Sequence, residues 1–308
     1  MPRRRSKKPQ SETIEVRTSD GWSLRADVDE PDATPVGVAL LAHAMMARRS
    51  SFDRPAGRGV RQMLLARGWR VVSFDFRGHG QSGPGAAEGG SWSYDDLVRG
   101  DMPAMHAFAR SRERKKRPLI LVGHSLGAHV GLAAQGTGLT AFDAVVSVAG
   151  NVWLRQHEPS VARWAVKRAM LGAVVATCRR LGRFPARRLR VGSDDEAGAY
   201  FEDLDRFART GRWTSSDGGH DYLASLGRVS APVLQVVSDG DRLACVVECG
   251  ARYLDACSGP RELLRVEHGD DGSPAPGHMG LVTSDRIGSV WERVEGWMRE
   301  SVVARRAF

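Results

Sequence analysis

Cysteine is scarce in this 308-residue chain: four in all, Cys178, Cys245, Cys249 and Cys257. None forms a Cys-x-x-Cys pair and none stands at metal-ligand spacing from histidine, so no metal site and no disulfide framework is expected; free thiols in a reducing compartment are. Long apolar runs are missing too. No stretch approaches the roughly 20 residues that cross a bilayer. No apolar segment follows the basic start, so no secretory signal is expected and a cytoplasmic location is. Phosphate-loop spacing and nucleic-acid recognition motifs are absent, and no internal repeat is visible.

What is present is an ordinary globular composition with a basic bias. Apolar residues make up 42% and charged residues 26%, enough for one large α/β domain or two smaller ones. The net charge of +9 is unevenly placed. Arg3, Arg4, Arg5, Lys7 and Lys8 crowd the start, a second run spans Arg110 to Arg117, and a third spans Arg179 to Arg190. Residues 1–11 read as a disordered, solvated basic tail, and no nucleic-acid partner is expected from clustered charge alone.

Hydrophobic patterning supplies eight strands. Thr13 to Val28 reads as a hairpin around Ser19-Asp20-Gly21. Val36–Ala42, Arg70–Phe76, Pro118–Gly123, Phe142–Val148, Pro232–Ser238 and Arg261–Glu267 read as strands, most of them continuous apolar runs buried on both faces. Helical patterns lie between them, at Arg54–Gly68, Tyr94–Ser111 and Ser125–Gln135, and close the chain around Ile287, Val290, Trp291, Val294, Trp297 and Met298. The alternation predicts an α/β fold with a mostly parallel sheet covered by helices on both faces. It breaks after Gly150: residues 151–229 look helical and arginine-rich, with no clear strand. The predicted organisation is therefore a core of residues 12–150 and 230–308, interrupted before its last two strands by a helical cap at 151–229. Such a cap would begin at the carboxyl edge of the sheet, where ligands of open α/β sheets bind.

Gly123-His124-Ser125-Leu126-Gly127 fits G-x-S-x-G between a strand and a helix. A turn that sharp exposes the serine hydroxyl and needs small residues two before and two after it. A serine nucleophile needs a base, and the base needs an orienting carboxylate. Asp241 follows the strand that ends at Ser238 and is preferred to Asp239, whose Asp-Gly pair reads as a turn signal. His278 follows a long turn-rich loop, Gly269–Gly277, and is preferred as base to His268 at the strand end. The oxyanion donors would be the backbone N–H of Leu126 and that of Met45, with Met46 as the alternative. His43, Met46, His124 and Trp153 are candidate substrate-binding residues beside them. His79, inside the glycine-rich Phe74–Gly83 loop, reads as part of a structural turn.

Together these residues resemble the α/β-hydrolase superfamily from about Thr13 to Met298. "FDFRGHGQSG" looks like its Asp-x-Arg-Gly-x-Gly-x-Ser loop, "GHSLG" like its nucleophile elbow, and "SDGD" and "GHMG" like its acid and histidine loops. Ala44 stands where the usual oxyanion loop has glycine. The segment from Gly182 to Trp213 and the ending "GHMGLVTSD" are similar to a bacterial group of predicted serine hydrolases without an agreed substrate. The resemblance implies a cofactor-free serine hydrolase acting on a small-molecule acyl substrate, an ester or thioester, through an acyl-enzyme. A silent binding protein on the same scaffold, an acyltransferase and a peptidase stay open beside it. The aromatic residues Trp153, Trp164, Phe184, Tyr200 and Trp213 suit either an acyl pocket or the core of the cap. The arginines 179, 180, 183, 187, 188 and 190 suit an anionic substrate, a weak contact with an anionic membrane surface, or a plain solvated face.

Overall fold

The computed structural model describes residues 11–113 and 117–306. The basic tail, apart from Ser11, lies outside the described residues, as does the middle of the second basic run. No helix among the described residues is long and apolar enough to cross a membrane.

The strands run β1 Ser11–Arg17, β2 Ser23–Asp29, β3 Val38–Ala42, β4 Arg70–Asp75, β5 Leu119–His124, β6 Ala144–Val148, β7 Arg183–Phe184, β8 Glu196–Ala197, β9 Val233–Ser238 and β10 Arg261–Val266. Eight of them form one sheet in the order β1-β2-β4-β3-β5-β6-β9-β10. β1 and β2 are the expected hairpin, and β2 meets β4 antiparallel; every other pairing in this sheet is parallel. Alternate residues of one strand serve opposite cores. Val38, Leu40 and Ala42 join one apolar cluster, and Ala39 and Leu41 the other. Burial on both faces is why these strands read as continuous apolar runs.

Two elements depart from the sequence reading. Of Arg54–Gly68, only Val60–Ala66 is helical. Gly59 passes so close to the preceding turn that an added Cβ would stand 2.3 Å from the Phe52 carbonyl oxygen, which fixes where the helix can start. Between β6 and β9 there is a strand pair after all: β7 and β8 form an antiparallel ladder of two residues each, too short to leave a periodic signal.

The same segment holds the helices Val161–Leu181 and Gly198–Thr210, packed on each other. Ser160 caps the first, its Oγ accepting from Arg163 N–H, and Gly182 ends it in the left-handed conformation at φ 74°. Tyr200 and Trp213 are fully buried in an aromatic group around Tyr94, with Phe207 and Tyr222. These two rings are core. Because β3, β5, β6 and β9 are parallel, the turns that leave them all open at one edge of the sheet.

Candidate active site

Ser125 stands between β5 and the helix Leu126–Gly136 with φ 52°, a region that non-glycine residues rarely occupy. Its backbone N–H donates to Val148 O at 2.8 Å, which ties the turn to the end of β6. The small residues around it are required by contact. A Cβ on Gly123 would stand 2.5 Å from Ala128 Cα, and one on Gly127 would stand 2.1 Å from Ala42 O.

Asp241 is buried and folds its own loop back on itself. Oδ1 accepts from the N–H groups of Leu243 and Ala244, and Oδ2 from that of Cys245 at 3.0 Å. The same Oδ2 lies 2.5 Å from His278 Nδ1. Burial pushes the Asp241 pKa up, but the hydrogen bond and charge of His278, with the backbone donors, hold it below its ordinary 3.8. Asp239 faces outward and forms a bidentate pair with Arg265 at 2.8 and 2.9 Å. His268 is exposed and its backbone pairs with Pro274. The structure thus joins Asp241 to His278 and leaves Asp239 and His268 apart from them.

His124 brings that couple to the serine turn. Its Nε2 donates to His278 O at 3.1 Å, and the two rings lie 5.1 Å apart. On the other side Gly127 N–H donates to His43 O at 3.1 Å, so the turn after β3 abuts the start of the helix that follows Ser125. Within that turn Met46 N–H donates to Glu196 and Ala47 N–H to Ala44 O. Of residues 45 to 47, the one backbone donor without a described partner is Met45 N–H. Leu126 N–H is likewise unengaged among the described hydrogen bonds. Met46 N–H, the alternative donor, is taken. The left-handed residue of the turn is Met46, at φ 56°, and not Ala44.

His43 and His124 do not fit the expected substrate-binding role. Both are fully buried. The Nδ1–H of His43 donates to Ala44 O at 2.7 Å and its Nε2 accepts from Phe76 N–H at 3.0 Å, so both nitrogens hold backbone. Burial first, and then neighbouring positive charge (from His79 on His43, from His278 on His124), lowers both pKa values to about 3. Trp153 is half-buried, and its indole N–H donates to Ala244 O at 2.9 Å, against the Asp241 loop.

Sequence reasoning missed Glu196. This carboxylate lies on β8, is fully buried, and accepts from Trp92 Nε1–H at 2.9 Å, His79 Nε2 at 3.2 Å and Met46 N–H at 3.2 Å. Burial alone would lower the His79 pKa; the charge and hydrogen bond of Glu196, and the Arg77 carbonyl, raise it instead to about 9. The available signal was an acidic run, Asp194-Asp195-Glu196, inside the most arginine-rich part of the chain.

A family model described as Hydrolase_4, serine aminopeptidase, S33, matches residues 57–247, a span that contains Ser125 and Asp241 but stops short of His278. No curated protein sequence matches the chain. Among solved structures it is similar to the esterase domain of a Rhodothermus marinus protein, with 21% identity, a TM-score of 0.58, and 94% of this chain and 98% of that one covered. A Pyrococcus furiosus esterase gives 15% identity and a TM-score of 0.60 over 96% and 94%. Est1E of Butyrivibrio proteoclasticus, solved with ferulic acid bound, gives 16% and 0.59 over 94% and 99%. At these identities the likeness speaks for the fold.

Proposed function

This chain belongs to that serine aminopeptidase family of α/β-hydrolases, and from this membership we propose that it is a serine hydrolase cleaving a carboxylic ester or thioester through an acyl-enzyme. The observation that carries the reading is the His278–Asp241 hydrogen bond, anchored through His124 to the turn that holds Ser125 left-handed. In the proposed reaction Ser125 Oγ attacks the acyl carbon as its proton passes to His278 Nε2. Asp241 accepts the Nδ1–H, which fixes the tautomer and favours the imidazolium. The N–H groups of Leu126 and Met45 receive the charge on the carbonyl oxygen. His278 returns the proton to the leaving group, then takes one from water as the hydroxide attacks the acyl carbon, and finally passes that proton to Ser125 Oγ as the acyl–Oγ bond breaks and the carboxylic acid leaves.

Residues 151–229 act as the cap in this reading, since they leave β6 at the edge where Ser125 and Asp241 stand. Trp153 and the side chains of Met45 and Met46 would line the acyl site.

The test is hydrolysis of p-nitrophenyl esters of increasing chain length by the wild type and by Ser125→Ala and His278→Ala. Loss of turnover in both variants is expected, with the chain-length optimum sizing the pocket. Turnover that survives Ser125→Ala would reject the nucleophile. Because the matching family is described as aminopeptidase, aminoacyl p-nitroanilides belong in the same assay; faster cleavage of these than of esters would make amide hydrolysis the activity.

A further inference from the structure

We infer that the segment Gly192–Glu196, which the helical insert carries, is a strap that sets the oxyanion-binding turn after β3, with Glu196 as its positioning residue. The inference rests on the proposed roles of Ser125 and Met45.

The turn needs an external hold. Met46 sits at φ 56° without being glycine, a conformation that persists only where the surroundings over-determine it. Here the surroundings are the strap. Met46 N–H donates to Glu196 Oε2 at 3.2 Å, and Met46 O accepts from Ser193 N–H at 2.7 Å and from Asp194 N–H at 3.4 Å. Both polar backbone groups of the residue after Met45 are thus bound by the insert. The preceding peptide is bound by the core: Ala44 O accepts from His43 Nδ1 and from Ala47 N–H. Between these two holds Met45 N–H is left pointing at no described partner.

The strap is itself fixed. Glu196 is locked by Trp92 and His79, both from the core connection between β4 and Tyr94. Asp194 binds Arg48 Nε at 2.6 Å and Gly80 N–H at 2.9 Å. The approach is so close that a Cβ on Gly192 would stand 2.5 Å from Met46 Cβ and 2.8 Å from Met46 O. A buried carboxylate with three donors from two core segments does not drift, and the donor turn is registered against it.

The decisive experiment measures the second-order rate of fluorophosphonate labelling of the full chain. Phosphonylation builds negative charge on oxygen in the same hole and needs no knowledge of the substrate. Two variants perturb the strap: Glu196→Gln, which turns one acceptor into a donor facing donors, and Gly192→Ala, which keeps every hydrogen-bonding group and presses on Met46. Asp203→Asn is the control, because Asp203 also ties the insert to the core, by accepting from Tyr94 N–H, without touching the turn. Both strap variants should label at least about tenfold more slowly, in the direction of the roughly 10²–10³ lost with a whole oxyanion donor. Asp203→Asn should stay within about threefold of the wild type. On a cleaved ester, kcat should fall in Glu196→Gln with KM unchanged when the rate is referred to active sites titrated with the fluorophosphonate, a normalisation that removes the contribution of unfolded protein.

Wild-type labelling rates in Glu196→Gln, or an equal fall in Asp203→Asn, would overturn the strap while Ser125 stands. If Glu196→Gln does not fold, Gly192→Ala decides alone. Labelling that persists in Ser125→Ala would instead remove the nucleophile, and a wild type that does not label would remove both, since the turn would then have no oxyanion to serve.

Discussion

Asp241 and Asp239 are two residues apart and face opposite ways. One is buried against its own loop and His278; the other is at the surface with Arg265. The difference gives a paired prediction. Asp241→Asn should lower kcat by roughly 10³–10⁴, because the amide favours the wrong imidazole tautomer, with KM little changed. Asp239→Asn should leave both constants unchanged, and steady-state kinetics on one ester checks the pair. The preference for Asp241 over Asp239 could be stated from the sequence alone, through the turn signal at Asp239-Gly240. The true work of His43 and His124 was not. A histidine beside a serine turn can face a ligand or grip backbone, and only the positions of Ala44 O, Phe76 N–H and His278 O decide which.

At the scale of elements, the strand–turn–helix around Ser125 is governed by two glycines, and the sequence stated this openly because steric need leaves a residue signature. Gly127→Ala would force a methyl onto Ala42 O, in the middle of the parallel sheet. A loss of about 1–3 kcal/mol, as for overpacked cores, is expected from denaturant unfolding. The helical stretch Tyr94–Ser111 was legible as a helix but not in its detail. Leu97–Asp101 widens to a π-turn, which lets the buried Asp101 accept from both the backbone N–H and Nε of Arg77. The two-residue pairing of β7 with β8 left no period to read, and Glu196 lies in it. What the sequence hid was therefore short and polar, and what it disclosed was long and apolar.

For the whole molecule, the buried histidines set the acid limit. His43, His124 and His129 are each lowered to about 3 from an ordinary 6.5, chiefly by burial. Their contribution to stability is complete above pH 6.5 and is lost as pH falls towards 3, because the unfolded chain takes up the protons first. Each adds a slope of roughly 1.4 kcal/mol per pH unit in that window. Asp101, raised by burial to about 6, offsets one of the three. His79 behaves oppositely: with its pKa raised to about 9, its stabilisation is complete below pH 6.5 and is lost as pH rises through 9. Thermal melts should therefore be highest near pH 6.5, falling steeply on the acid side and more gently on the alkaline side. A melting temperature that is flat between pH 4 and 6.5 would contradict the neutral burial of these rings.

The ties of the insert reach beyond stability. Asp194, Glu196 and Asp203 each accept from the core, and buried Lys167 pairs with Glu158 and approaches Cys249 beyond β9. Segments in this topological position invite transplantation: exchange one for that of a relative and a new specificity should follow. Here the border does not lie where the topology draws it. In the turn after β3 the hydrogen-bonding partners of left-handed Met46 lie on the far side of that border, so a chimera cut at residues 151 and 229 would carry off the groups that hold this turn along with the specificity it meant to replace. A graft that keeps Gly192–Glu196 with the recipient respects the unit that the hydrogen bonds define.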